Sequence, residues 1–327
     1  MSAADVLPVV QRTPEWIEAR QHGVGASEAA AALGLSRWDS PYSLWARKCG
    51  LVPPKDATLP MRLGTYLEPF IATLYEAETG IPLRRVNRLL RSKAHPYLLA
   101  SLDRRRPDGA VVEIKWTERG DGYGEPGTDE IPDDVLCQVV QQMAVADAPA
   151  AYVAVLRGGR FGTYGPILRD PEAESVLVGG VGAFWAHVES RTAPPLTGAA
   201  ADLDALNARH PADDGSALEV DARHPAALAL AELKDVRQAM DRAKARESAL
   251  RAVIEEAMAE ASVLAAPGIG RVTWKAPKPT TATEWERVAR EFAALAPDAY
   301  AAAVEIHTSP KTSTRRFVPS WEGTSDD

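Results

Sequence analysis

The stretch Ser101 to Lys115, Ser-Leu-Asp-Arg-Arg-Arg-Pro-Asp-Gly-Ala-Val-Val-Glu-Ile-Lys, decides how the rest of the chain is read. Two β-like runs flank Pro107-Asp108-Gly109, which is a turn sequence. A three-residue hairpin loop there sets Asp103 directly opposite Glu113, whereas a two-residue loop shifts the register and separates them. In the first register the two Cβ atoms stand about 4.5–5.5 Å apart, close enough for both carboxylates to hold one hard divalent cation. Lys115 points to the same side, because strand side chains alternate. Two acids and an ammonium suit phosphodiester hydrolysis: the cation polarises a phosphoryl oxygen and lowers the pKa of a bound water, and the ammonium positions that water or stabilises developing charge. Asp103 is the favoured ligand and Asp108 the alternative, which falls in the turn about 17 Å from Glu113 at ~3.3 Å per extended residue. Glu-x-Lys alone describes an ordinary solvated strand face, so the motif needs company.

Company comes from the helical pattern upstream, where Leu63, Leu67, Phe70, Ile71 and Leu74 form a candidate buried stripe. Glu68 lies beside that stripe, one turn after Gly64, and can complete a metal site with Asp103 and Glu113. Earlier still, Arg20-Gln-His-Gly-Val-Gly-Ala-Ser27-Glu28 is a glycine-containing loop that runs into a helical pattern. Ser27 can be its N-cap or a phosphate ligand, and Arg20 can pair with phosphate oxygens. Downstream, Gln138 and Gln142 share one helical face and can hydrogen-bond a nucleotide or a metal-held water. Arg84, Arg85, Arg88, Arg91, Lys93 and Arg104 to Arg106 form a local basic cluster able to track a phosphate backbone. Trp16, Trp38 and Trp45 read as core residues of the N-terminal helices.

Helical patterns at 14–20, 26–33, 41–49, 60–79 and 133–146 interleave with β-like runs at 81–90, 97–103, 110–116 and 151–156, an α/β signature. Residues 191–225, with Pro194-Pro195, Asp213-Asp214-Gly215 and His224-Pro225, read as a loop-like connection. Beyond it, apolar residues at Leu233, Val236, Met240, Ala243, Leu250, Ile254 and Ala257 mark one long helix. A strand pair around Pro267-Gly268-Ile269-Gly270, a short helix from Glu284 to Leu295 and a basic strand from Thr314 to Val318 complete an α+β tail. The boundaries are therefore 1–190, 191–225 and 226–327. At 327 residues with 46% hydrophobic and 25% charged residues, the chain is long enough for about two folded units. It has no apolar run able to span a bilayer, so no membrane role is expected. Two cysteines, Cys49 and Cys137, exclude a disulfide framework, and with no basic-apolar leader pattern they point to the cytoplasm. A net charge of −8 argues against a protein that coats nucleic acid but permits a local basic groove.

Taken in order, Arg20 to Glu28, Ser40-Pro41-Tyr42-Ser43-Leu44-Trp45, Gly64 to Glu68, Ser101-Leu102-Asp103, Glu113-Ile114-Lys115 and Gln138 to Met143 resemble the YqaJ-like viral recombinase family, which is similar to lambda exonuclease. The resemblance covers about residues 12–170. It implies a PD-(D/E)xK nuclease core, a central mixed sheet flanked by helices, and Mg²⁺-dependent degradation (Mn²⁺ as a substitute, one or two ions) of the 5′-ended strand of linear double-stranded DNA. Residue by residue it makes Glu68, Asp103 and Glu113 the metal acids, Lys115 the catalytic lysine, Gln138 the family's glutamine, and Arg20 with Ser27 the 5′-phosphate contacts. It further implies phage-type recombination in a bacterial host, a single-strand annealing protein as partner, and a homo-oligomer. Two positions depart from the family pattern: Glu28 stands where aspartate is common, and Asp103 is followed by Arg104-Arg105-Arg106 rather than glycine. The competing readings are a non-catalytic DNA-end-binding or scaffolding protein on the same fold, and a PD-(D/E)xK endonuclease.

Overall fold

A computed structural model describes residues 3–11, 13–86, 88–118, 122–277, 281–309, 317 and 319. The chain divides into two compact units, Met1–Pro211 and Ala212–Asp327. Unit one runs β1 (Ala4–Leu7), α1 (Pro14–Gln21), β2 (Val24–Gly25), a 3-10 turn (Ala26–Glu28), α2 (Ala29–Ala32), α3 (Pro41–Lys48) and α4 (Leu59–Thr79). It continues through β3 (Arg84–Arg85), β4 (Leu89–Ser92), β5 (Leu98–Ser101), β6 (Arg104–Arg105) and β7 (Val111–Thr117). It ends with α5 (Asp133–Ala146), β8 (Ala150–Arg157), β9 (Arg160–Leu168), α6 (Pro171–Glu189) and α7 (Ala200–Arg209). The α/β class read from the sequence is the class observed.

The strands form two sheets. One has the order β1-β4-β5-β2, and the other β3-β6-β7-β8-β9, with β7 parallel to β8 and its remaining pairs antiparallel. The chain passes from the first sheet to the second at Leu102 and Asp103, between β5 and β6, so the favoured acid sits at the crossover. β6 pairs with β7 in the register Arg104↔Val112 and Arg105↔Val111. The Arg106 N–H bonds the Ala110 carbonyl at 2.9 Å, and Gly109 turns back with φ of +90°. This is the three-residue loop at Pro107-Asp108-Gly109, closed by a glycine in the region where a Cβ is strained.

Helix α4 packs on the second sheet through Ile71, Ala72 and Tyr75, which meet Val112, Ile114 and Ala154. Its buried face is therefore Glu68, Ile71, Ala72 and Tyr75, at the i, i+3, i+4, i+7 spacing. The expected stripe is corrected here: Leu63 and Phe70 are exposed, and Glu68 is on the buried face rather than beside it. Gly64 faces open space, so no close approach explains it.

Helix α5 crosses both sheets. Buried Gln141 donates through Nε2 to the Val24 carbonyl at 2.7 Å and the Leu99 carbonyl at 2.9 Å, tying the short parallel pair β2 and β5 to the helix. The stretch 191–225 is less loop-like than its prolines and glycine suggest. Helix α7 lies in it, anchored on α3 by Arg209 donating to the Tyr42 hydroxyl at 3.1 Å, while Asp202 accepts from the Thr197 and Gly198 N–H groups.

Unit two comprises α8 (Pro225–Met258), the antiparallel hairpin β10 (Val263–Ala266) and β11 (Gly270–Thr273), α9 (Trp285–Leu295) and α10 (Pro297–His307). Along the 34 residues of α8 only Met258 is buried, and Val236, Met240, Leu250 and Ile254 of its apolar stripe are exposed. The basic strand expected at Thr314 to Val318 lies, apart from Phe317, outside the described residues. Among the described residues no helix is long and apolar enough to cross a membrane.

Replacing Gln141 by Leu, close in volume, removes its two bonds to the Val24 and Leu99 carbonyls but also the side chain's own unpaired buried Oε1. The expected loss is about 1–2 kcal/mol, read as a lower urea midpoint at unchanged slope. A midpoint equal to the parent's would contradict this bracing role.

Candidate active site

Glu113 and Lys115 lie on the face of β7 that looks towards α5, while Val112 and Ile114 look towards α4. Continuing the β6–β7 register by one step sets Asp103 opposite Glu113. Glu113 is buried. Its Oε1 accepts from Gln138 Nε2 at 2.6 Å and from Lys115 Nζ at 2.8 Å, and its Oε2 accepts from Gln142 Nε2 at 2.7 Å. Lys115 also donates to Gln138 Oε1 at 2.7 Å, which closes a three-membered ring of side chains. Burial disfavours the Lys115 ammonium, but the charge and hydrogen bond of Glu113, helped by Asp103, outweigh it and hold its pKa above the usual lysine value. Lys115 is thus a fixed cation rather than a base.

Asp103 Oδ2 accepts from the Ile114 N–H at 3.0 Å. Burial first, then the charges of Glu113 and Glu68, push its pKa well above the usual aspartate value, opposed only in part by that hydrogen bond and by Lys115. Glu68 arrives from α4, the opposite side of the sheet from Glu113, and its Oε1 pairs with buried Arg104 Nη1 at 2.7 Å. Among the described residues no three potential ligands are gathered into a ready-made set for an ion. The residues nevertheless fit a hard cation. The charges of Glu113 and Glu68 both bear on the buried carboxylate of Asp103, and an oxygen-seeking divalent ion would offset them. Asp108 stands apart, half exposed, with Arg106 at 2.8 Å and the Ala110 N–H on its other oxygen.

The arginine run after Asp103 is largely internal, which corrects its reading as a phosphate track. Arg104 holds Glu68; Arg105 donates to the Gly109 and Ala146 carbonyls; Arg106 donates to the Tyr75 hydroxyl and stacks 4.1 Å from the Tyr152 ring. Arg91 and Lys93 flank Asp5. Gln142, which its i+4 spacing to Gln138 marks for a nucleotide or a metal-held water, instead grips the Glu113 carboxylate and the Ser101 carbonyl. Tyr123 also belongs to the surroundings: burial pushes its phenol up to about 12, with Lys115 opposing and Asp134 and Glu113 adding.

A second cluster forms where α1 ends. Arg20 Nη2 donates to Ser27 Oγ at 3.3 Å and pairs with Glu28 Oε1 at 3.1 Å. Ser27 sits inside the 3-10 turn whose N-cap is Gly25, so it is not the N-cap expected of it. Trp16 stacks beneath Arg20, Trp45 is buried as expected, and Trp38 is exposed, against expectation.

Residues 15–149 match the model of the YqaJ-like viral recombinase domain. This part of the chain resembles that family. Over 201 residues the chain is 32% identical to the uncharacterised protein YqaJ of Bacillus subtilis (strain 168), covering 60% of this chain and 63% of that protein. The chain thus spans under two thirds of that relative's length. Among solved structures, an alkaline exonuclease (LHK-Exo) from Laribacter hongkongensis is similar at 23% identity and a TM-score of 0.45, over 55% of this chain and 94% of that one. A phage-related exonuclease from Haemophilus somnus 129PT is similar at 12% identity and a TM-score of 0.40, over 52% and 96%.

Burial raises the Glu28 pKa, but the charges of Arg20 and Lys48 and the hydrogen bonds from Lys48 and Gly25 N–H more than offset this and hold it at about 2, below its ordinary 4.5. Its contribution to stability is therefore present above pH 4.5 and lost as pH falls towards 2. Lys48 is itself pulled down by burial, with Glu28 opposing in part, so the net worth of the pair is smaller than the shift of Glu28 alone implies. Glu28→Gln should lower stability at pH 7 by roughly 1–3 kcal/mol, and urea titrations should show that gap narrowing below pH 4.5. A gap that stays constant down to pH 3 would contradict the assignment.

Proposed function

We propose that the YqaJ-like domain is a divalent-cation-dependent deoxyribonuclease that degrades the 5′-ended strand of linear duplex DNA from its ends. The reading rests above all on one observation: a three-residue hairpin brings Asp103 opposite Glu113, with Lys115 bound to the same carboxylate. Asp103 and Glu113 would hold Mg²⁺ (or Mn²⁺), with Glu68 as the third acid once Arg104 releases it. When bound, the ion would polarise the phosphoryl oxygen and lower the pKa of the attacking water.

The side chains divide the remaining work. Gln138 and Gln142 fix both oxygens of Glu113, so its carboxylate keeps one orientation as charge accumulates nearby. Lys115, part-exposed and kept cationic, presents its ammonium to the attacking water or to the charge developing on the phosphate. Arg20 and Ser27 would receive the 5′-terminal phosphate. The family name supports a place in recombination, where an annealing protein would take the single strand left behind. A second copy of the chain is the partner that would keep the enzyme on its substrate. A non-catalytic end-binding protein would have no need of this acid-acid-lysine set.

Glu113→Gln and Asp103→Asn should each slow Mg²⁺-dependent digestion of end-labelled linear duplex by more than about 100-fold, beyond the usual effect of losing a supporting partner. Asp108→Asn should digest at the parent rate. An inactive Asp108→Asn beside an active Asp103→Asn would transfer the ligand role to Asp108, and undiminished cleavage in chelator would refute the metal reading.

The unit from Ala212 carries no comparable acid-acid-lysine set, and we assign it an accessory role in assembly or partner docking. A chain ending at Pro211 should retain single-turnover cleavage while its size by light scattering or its processivity changes. A folded, inactive fragment would mean that the second unit supplies part of the site.

A further inference from the structure

We propose that Glu28 and Lys48 are positioning residues that preset Arg20 for a 5′-terminal phosphate, and that position 25 is glycine to leave room for that guanidinium. The inference rests on the reading of Arg20 and Ser27 given above. A free arginine side chain samples many rotamers and loses them on binding, so an arginine held in place beforehand binds an anion more tightly. Arg20 is held from three directions. Trp16 lies under the guanidinium with its centroid 4.8 Å from Cζ, Glu28 Oε1 pairs with Nη2 at 3.1 Å, and Ser27 Oγ accepts from Nη2 at 3.3 Å.

The holding groups are themselves fixed. Glu28 Oε2 accepts from the Gly25 N–H and from Lys48 Nζ, both at 2.8 Å, which leaves Oε1 to face Arg20. The Lys48 side chain is only 3% exposed and also donates to the Arg20 carbonyl at 2.7 Å. Lys48 therefore fixes the main chain of Arg20 while Glu28 fixes its side chain. Two cations share one carboxylate, so the cluster keeps one net positive charge for an incoming anion. Ser27 is exposed, and its hydroxyl, an acceptor towards Arg20, retains its own hydrogen to donate. A Cβ at residue 25 would stand 2.8 Å from Arg20 Nη2 and 3.2 Å from Cζ. The same Cβ would stand 3.2 Å from Glu28 Oε2, so Gly25→Ala would push the flexible end of Arg20 aside and press, less closely, on the carboxylate that Lys48 holds.

The test uses the full chain in Mg²⁺ on linear duplex with 5′-phosphate or 5′-hydroxyl ends, at several DNA concentrations. The parent should prefer phosphate ends, and Arg20→Ala should abolish the preference. Glu28→Gln and Gly25→Ala should each lower the preference about tenfold, the scale of one charge-assisted hydrogen bond, through KM more than kcat. Glu28→Asp should restore part of it. A parent without preference, or an unchanged preference in Arg20→Ala, would overturn the phosphate pocket itself. Loss in Arg20→Ala with the parent preference kept in Glu28→Gln and Gly25→Ala would overturn the positioning role alone. If Glu28→Gln does not fold, Gly25→Ala decides.

Discussion

The structure of the first unit depends on the enclosure of one carboxylate, that of Glu113. A buried anion is tolerated only when it is paired and hydrogen-bonded, and here two glutamines and a lysine supply both needs. Those partners come from α5 and from β7 itself, so the helix must cross the strand at one fixed height. The same helix face continues to Gln141, which grips the other sheet. Glutamines at 138, 141 and 142 thus tie the acid's orientation to the joining of two sheets, and an error in either disturbs both.

Asp103 occupies the junction between those sheets, where the chain leaves β5 and enters β6. Its pKa is raised first by burial at this junction and then by the charges of Glu113 and Glu68. Arg104, next in sequence, turns to the α4 side and compensates Glu68 instead. The departure from glycine after Asp103 therefore puts a cation beside the acids, where it pairs with Glu68. Glu68 and Glu113 reach the junction from opposite faces of the sheet, and only the crossover at Asp103 lets them act on a common point.

Much of this was legible in the sequence because it is local. Pro107-Asp108-Gly109 fixes loop length, loop length fixes register, and register sets Asp103 against Glu113. Helices α3, α4, α5 and α8 announced themselves through periodicity and caps, with bounds close to those observed. What failed was non-local. The outward face of α4 is nearly as apolar as the inward one, so periodicity chose Leu63 and Phe70 over the face that the sheet actually covers. Charge counting could not tell that Arg104, Arg105 and Arg106 point inward to Glu68, two carbonyls and Tyr75. Strand β9 and helix α6 carry no pattern that the sequence reading picks out, and prolines and glycine on either side hide α7.

The central claim is that Asp103 and Glu113 are arranged to share a hard cation. Diffraction from crystals of the full chain grown with Mn²⁺, recorded at a wavelength where manganese scatters anomalously, tests it without reference to activity. The account predicts an anomalous peak within about 2.0–2.6 Å of an oxygen of each carboxylate, in the range for hard cations, and no such peak when Glu113 is replaced by Gln. A well-ordered site with both carboxylates in place and no anomalous density between them, at manganese concentrations that saturate catalysis, would contradict it.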